Sequence, residues 1–145
     1  MIYQSMSGDA GEGTGTFTAK DSTLKIDSDS EYYSSAPFFF ITNTNAVINL
    51  ENNNIEYGSN ILLKAAATTE WGKTGSNGGV VTLNASNQKL VGNIEIDKIS
   101  EAQINLKNSS SWEGKINSDN IAKSASLSLD SSSKIKLTGD SYLTT

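Results

Sequence analysis

The stretches VVTLNASNQKLVGNIEID (Val80–Asp97), QINLKNSSSWEGKINSD (Gln103–Asp119) and SLSLDSSSKIKLTGDSYL (Ser126–Leu143) follow one pattern three times. Each opens with apolar residues two apart, runs into a short polar stretch, resumes with one apolar residue and reaches a glycine. Val81, Ile104 and Leu127 recur every 23 residues, and so do Leu83, Leu106 and Leu129. A fixed period in this range marks a solenoid, in which each repeat buries its face against its neighbours. The spacing predicts that each trio stacks in one inward column.

Earlier segments fit the same frame. TFTAKDSTLKID places Phe17 and Ala19 inward, and AVINLENNNIEYG places Ile48 and Leu50. The alternation at i and i+2 is that of a half-buried strand. The polar runs after each pair are rich in Asn, Asp and Ser, which tolerate left-handed backbone and build corners. Leu24, Ile55, Leu90, Trp112 and Ile135 then resume a second strand, and Gly58, Gly92, Gly114 and Gly139 suit a second corner. Third strands are expected at Phe38–Ile41, Ile61–Leu63, Ile94–Ile96, Lys115–Asn117 and Tyr142–Leu143. Three short strands and three corners per repeat describe one coil of a parallel β-helix. Hairpins would call for two-residue Asn-Gly or Asp-Gly turns. The one such pair, Asn77-Gly78, falls in an insertion.

Two rungs break the period. Ser28–Pro37 stretches the first and Thr68–Gly79 the second, and both are read as loops leaving the coil. Insertions of this kind often carry binding. Met1–Met6 reads as a third strand with no first strand before it, and the chain stops after another third strand. Residues 1–145 are therefore read as a single domain of about five to six coils, a segment of a longer solenoid or one that stacks end to end on another β-helix segment.

Composition narrows the function. Of the 145 residues, 36% are hydrophobic, so a core must use each apolar side chain efficiently. The regular apolar spacing argues against disorder. There is no Cys and no His, and all 11 basic residues are Lys. No disulfide framework, and no His- or Cys-based catalytic triad, can be built. The net charge of −5 disfavours nucleic acid as a partner. No apolar run approaches the roughly 20 residues that span a bilayer. No basic-then-apolar signal segment follows Met1, so a secreted protein would be represented here without its signal. Lys64 and Lys98 end third strands and are conceivable bases. No carboxylate pair is placed for glycoside hydrolysis, and the chain is read as not an enzyme.

The runs MIYQSMSGDA, PFFFITNTNAVINL, WGKTGSNGGVVTLNASNQKLVGNIEID and LTGDSYLTT resemble the carbohydrate-binding β-helix domain of Gram-positive, especially clostridial, surface and secreted proteins. The resemblance covers nearly the whole chain. It implies a right-handed parallel β-helix similar in shape to pectate lyases, and an extracellular or cell-surface location. It also implies non-catalytic binding of plant cell-wall polysaccharide of the cellulose or pectin type, with calcium as a possible cofactor. The competing reading is a structural or adhesive stalk with no sugar site of its own.

Sugar rings pack their C–H faces on aromatic rings while polar neighbours bond their hydroxyls. Trp71 lies in the Gly-rich second insertion, where a core role is least expected, and Asn77 beside it is a candidate reader of hydroxyls. Tyr32 and Tyr33 adjoin the acidic first insertion and are divided between exposed and packed roles. Tyr57 is a further candidate. Trp112 shares the column of Leu90 and Ile135 and is expected in the core. Calcium needs several oxygens together. Asp27, Asp29 and Glu31 alternate along one side of an extended loop and form the candidate metal set; a solvated acidic surface is the other reading.

Overall fold

The structure, a computed structural model, describes Ile2, Tyr3 and residues 14–144. In chain order the strands are β1 (Ile2–Tyr3), β2 (Thr14–Lys20), β3 (Thr23–Lys25), β4 (Phe39–Thr42), β5 (Thr44–Glu51), β6 (Asn54–Glu56) and β7 (Ile61–Ala65). They continue as β8 (Gly79–Ser86), β9 (Lys89–Val91), β10 (Asn93–Ile96), β11 (Glu101–Lys107), β12 (Ser111–Gly114), β13 (Ser124–Leu129) and β14 (Lys134–Leu137). Every pairing is parallel, and the described residues contain no helix. Parallel neighbours exclude hairpins, since each pair needs a crossover.

The strands sort into a five-stranded sheet in the order β13-β11-β8-β5-β2 and a four-stranded sheet β1-β4-β7-β10. A three-stranded sheet β14-β12-β9 and a two-stranded sheet β3-β6 complete the set. The chain takes them in rotation: the five-stranded sheet, then the two- or three-stranded one, then the four-stranded one, then the first again. In the fourth repeat the third position is a single bridge, Ile94 to Ile116. In the fifth it is one backbone hydrogen bond, the Tyr142 N–H to the Ile116 carbonyl at 3.1 Å, flanked by side-chain bonds of Ser141 and Asn117, so the strand expected at Tyr142–Leu143 does not form. At the other end Ile2–Tyr3 do form a strand, paired with β4, while Met1 and Gln4–Met6 lie outside the described residues.

The core is built in columns. One runs Ala46, Val81, Ala102, Ala125; a second Phe17, Ile48, Leu83, Ile104, Leu127; a third Ala19, Leu50, Ala85, Leu106, Leu129. This corrects the register expected between the third and fourth repeats. Ile104 faces Leu83, not Val81, and Leu106 faces Ala85, not Leu83. A slip of two residues keeps every side chain on its own side of the sheet, so the alternation permits either register. The expected register would set Ala85 opposite Asn108 at the corner and bury two columns; the observed one buries three. The offset is 21 residues at Ser86↔Lys107 and 22 at Lys89↔Ser111, because the corner before β12 holds three residues where that before β9 holds two. Trp112 stacks between Leu90 and Ile135 in the core, and its indole N–H donates to the Gly92 carbonyl at 2.8 Å.

The first corner of each of the first four repeats is made by Asp21, Asn52, Asn87 and Asn108, with φ of 52°, 53°, 48° and 53°. These residue types accept left-handed backbone, as the sequence predicts. Of the four glycines expected at second corners, Gly92 alone has positive φ, at 135°. The second insertion ends at Gly78, since Gly79 opens β8, where a Cβ would meet the Ile41 carbonyl.

A line of polar side chains closes the first corners. The N–H of Ser22 donates to Asn53 Oδ1 (3.0 Å), that of Asn53 to Gln88 Oε1 (2.8 Å), that of Gln88 to Ser110 Oγ (3.1 Å) and that of Ser110 to Ser133 Oγ (3.2 Å). Gln88, Ser110 and Ser133 are buried. Each repeat thus satisfies the corner amide of the one before it. A second ladder runs over the outer side of the five-stranded sheet, from Asn105 to Asn84 to Asn49 to Thr18 at 2.8, 3.0 and 3.2 Å.

Candidate functional site: a cleft opened by Gln88

The length of the corner side chain decides how closely adjacent repeats approach. Where it is serine, β9, β12 and β14 lie in one sheet. Where it is Gln88, the longest of the line, β6 and β9 belong to different sheets. Gln88 spans the gap itself. Its Oε1 takes the Asn53 N–H, and its Nε2 donates to the carbonyls of Asn53 (2.8 Å) and Lys89 (2.9 Å). At the far end of the gap the Tyr57 hydroxyl donates to the Val91 carbonyl at 2.6 Å. Burial pushes the Tyr57 phenol up to about 12. Between these two bridges Asn54 and Glu56 bond to the β3 side. By alternation the peptide groups of Ile55 point into the gap.

A cleft of about 1140 Å³ lies over this region. Its floor is the exposed side of β3 and β6 with the edge of β9: Thr23, Lys25, Asn54, Glu56, Lys89 and Val91. The corner residues Asp21 and Asn52, linked by a 2.8 Å hydrogen bond, form one wall. Tyr33 and Gly58 form the other. A Cβ on Gly58 would overlap the Tyr33 ring, so the missing side chain is what lets the ring lie there. Tyr57 carries the wall onward and packs against Phe38, ring centroids 5.4 Å apart. The charges facing the cleft, Asp21, Lys25, Glu56 and Lys89, sum to zero.

Of the residues singled out in the sequence, Tyr33 enters this cleft. Tyr32 is 61% exposed and points elsewhere in the first insertion, which is a run of turns from Asp27 to Ala36. Asp27 Oδ1 accepts the Asp29 N–H at 3.0 Å, and Ser28, inside the acidic run, lines the cleft. Among the described residues Asp27, Asp29 and Glu31 are not gathered into one metal-holding group. Trp71 is half-buried in the second insertion and does not line the cleft. Asn77, 3% exposed, uses its Nδ2 to tie that insertion together through the carbonyls of Thr68 (2.9 Å) and Trp71 (2.8 Å). The two insertions leave different corners, one between β3 and β4 and the other between β7 and β8. Tyr33 and Trp71 are not brought onto one platform.

Lys64 pairs in register with Glu95 on β10, beside a smaller hollow that Asp97 and Asp119 also line. Both carboxylate oxygens of Asp97 accept backbone N–H groups, from Ala67 (2.8 Å) and Ile99 (3.2 Å). Gln88, Lys25 and Lys89 are not singled out by the sequence pattern. The available signal is Gln88 itself, a long amide at a position filled by Asn or Ser in the other repeats. No described helix is long and apolar enough to cross a membrane. Set against known families, known proteins and solved structures, the chain matches no family model, no curated protein and no solved structure. The arrangement offers an open trough with amide and hydroxyl donors, two tyrosine rings and balanced charge.

Proposed function

We propose that the chain is a non-catalytic polysaccharide-binding module, wound as a right-handed parallel β-helix at a bacterial surface or in its secretions, and that the polymer lies in the cleft over β3 and β6. The observation that carries this reading is the cleft: a large open concavity with two tyrosines on one wall and a polar floor on which the charges balance. A concave site with convergent polar groups is the default place for a ligand. Tyr33 supplies the stacking face, and Asn54, Thr23 and the Ile55 peptide meet hydroxyls. The resemblance of the sequence to carbohydrate-binding domains points the same way.

The balanced cleft suits a neutral polymer. For an acidic one, the charge of −5 opposes approach, and a bridging cation would be needed. Calcium held by Asp27, Asp29 and Glu31 enters the reading at that point alone, since these carboxylates would have to draw together to hold it. Affinity electrophoresis in cellulose-type and pectin-type polymers, with and without chelator, tests the proposal. Neutral-polymer binding is expected to ignore chelator and to weaken in Tyr33→Ala. If Trp71→Ala loses binding while Tyr33→Ala keeps it, the polymer lies on the second insertion instead. If the wild type is retarded by neither polymer, the binding reading falls and the stalk reading replaces it.

A further inference from the structure

We infer that the slot between β6 and β9 takes an acetamido group, so that the ligand of the cleft is a polymer of N-acetylated amino sugars. This rests on the polysaccharide reading above and adds the group that the polymer carries. The slot lies inside the stack, between the second and third repeats, with described strands on both sides. The peptide groups that face it follow from those that face away. The Asn54 N–H and the Glu56 carbonyl bond to the β3 side, so the N–H and carbonyl of Ile55 face β9. The Gln88 carbonyl and the Gly92 N–H bond to the β12 side, so the peptide groups of Lys89 and Val91 face β6. No ladder joins β6 to β9.

Two acceptors in the slot are met by the protein's own side chains. The Lys89 carbonyl accepts from Gln88 Nε2 at 2.9 Å, and the Val91 carbonyl accepts from the Tyr57 hydroxyl at 2.6 Å. The N–H and carbonyl of Ile55 and the N–H of Val91 are left without a ladder partner, two donors and one acceptor. Peptide groups in such a place call for partners. Gln88 shows what fits. Its carboxamide stands in the first position of the slot, accepts the Asn53 N–H at 2.8 Å and donates to the carbonyls of Asn53 and Lys89. A second carboxamide, two residues further along both strands, would repeat these bonds. A secondary acetamide brings one N–H for the Ile55 carbonyl and two lone pairs for the N–H groups of Ile55 and Val91. A hydroxyl has the same count, but on a single atom, whereas a whole carboxamide and a tyrosine side chain are what bridge the two ends of the slot. The acetyl methyl would meet the Val91 side chain, 40% exposed and lining the cleft. The group is uncharged, which suits a cleft whose charges balance.

The probes are oligosaccharides of β-linked N-acetylglucosamine and of β-linked glucose, equal in length. A soluble peptidoglycan glycan strand, which carries the same group and adds a carboxylate, is the third. In calorimetric titration the N-acetylglucosamine oligomer is expected to bind the wild type about tenfold more tightly than the glucose oligomer, the worth of one or two net hydrogen bonds. Hydrogen exchange at the Ile55 and Val91 amides should slow with an acetylated chain and not with glucose. Tyr33→Ala should weaken both neutral oligomers and keep their ratio. Preference for either acetylated chain over glucose supports the slot, and the tighter of the two is its source; the net charge of −5 favours the neutral one. A glucose oligomer bound as tightly as the acetylated chains overturns the inference and leaves the polysaccharide reading standing. So does a preference with no slowing at Ile55 and Val91, since the group is then read elsewhere. If no saccharide binds, both readings fall.

Discussion

Exchanging Gln88 for Glu replaces one NH2 group by an oxygen and leaves the shape of the side chain unchanged. Gln88 is 1% exposed, and its Nε2 donates to the carbonyls of Asn53 and Lys89 at 2.8 and 2.9 Å. In Gln88→Glu both carbonyls lose their donor and face a carboxylate oxygen. A buried acceptor left without a partner costs about 1–3 kcal/mol, so the two together cost about 2–6 kcal/mol before the charge is counted. Native domains have about 5–15 kcal/mol in total, and for a chain of this length each kcal/mol lowers Tm by roughly 2–4 °C. A fall of about 10 °C or more at neutral pH is expected. Burial raises the folded-state pKa of the new carboxyl above its unfolded value near 4.3. The sign then follows: the deficit is full above the folded pKa and shrinks as pH falls towards the unfolded one, because the protonated acid donates again. Gln88→Met, apolar and of similar length, should be destabilised without that pH dependence. Circular dichroism melts from pH 4 to 8, with hydrogen exchange at the Asn53 amide, are the assay. A Gln88→Glu protein within about 0.5 kcal/mol of wild type at neutral pH, the range of an innocuous surface change, would refute the bridging role.

Three further outcomes follow from the same geometry. Leu106→Asp puts an unpaired charge where Leu106 is buried between Ala85 and Leu129, and the protein should be unfolded at room temperature by circular dichroism. Asp130 is held down to about 2 by the backbone N–H of Asn108 and then by the hydroxyls of Ser132 and Ser133. With the folded pKa depressed, its stabilisation is present above the unfolded value near 3.9 and lost as pH falls towards 2. Asp130→Asn should flatten the Tm profile in that window. Tyr57, raised to about 12, stabilises below the unfolded value near 10 and loses this as pH climbs to 12. In an absorbance titration of the five tyrosines one phenol should ionise late, and Tyr57→Phe should remove that late step.

How much of the fold and the cleft is legible in the sequence depends on what each pattern can distinguish. Alternation at i and i+2 tells inside from outside, and it alone assigns Ile48, Leu83 and Ile104 to the core, where they lie. Trp112 follows from the column it shares with Leu90, and it too is buried. Left-handed corners are legible because few residue types accept them, and Asp21, Asn52, Asn87 and Asn108 carry the signal openly. Register is not, because a slip of two preserves every inward position. The balance is tipped by one extra residue in the corner before β12 and by the room that Ala85 leaves for Leu50 and Leu106.

The cleft is hidden for a related reason. Gln88 stands in a polar run, Asn84 to Lys89, that reads as solvent-facing corner, and its burial follows from the corner line in which it replaces a serine or an asparagine. Side-chain length along that line acts as a spacer. Ser110 and Ser133 reach one amide and allow the sheet ladder to form beside them, whereas Gln88 reaches an amide and a carbonyl of Asn53 and takes the place of the ladder. The concavity therefore lies where the longest spacer lies. Shortening it, as in Gln88→Ser, should either draw β6 and β9 into one sheet and narrow the cleft, or leave Asn53 unpaired and loosen the second repeat. The protection of the Ile55 amide against exchange separates the two, rising in the first case and falling in the second.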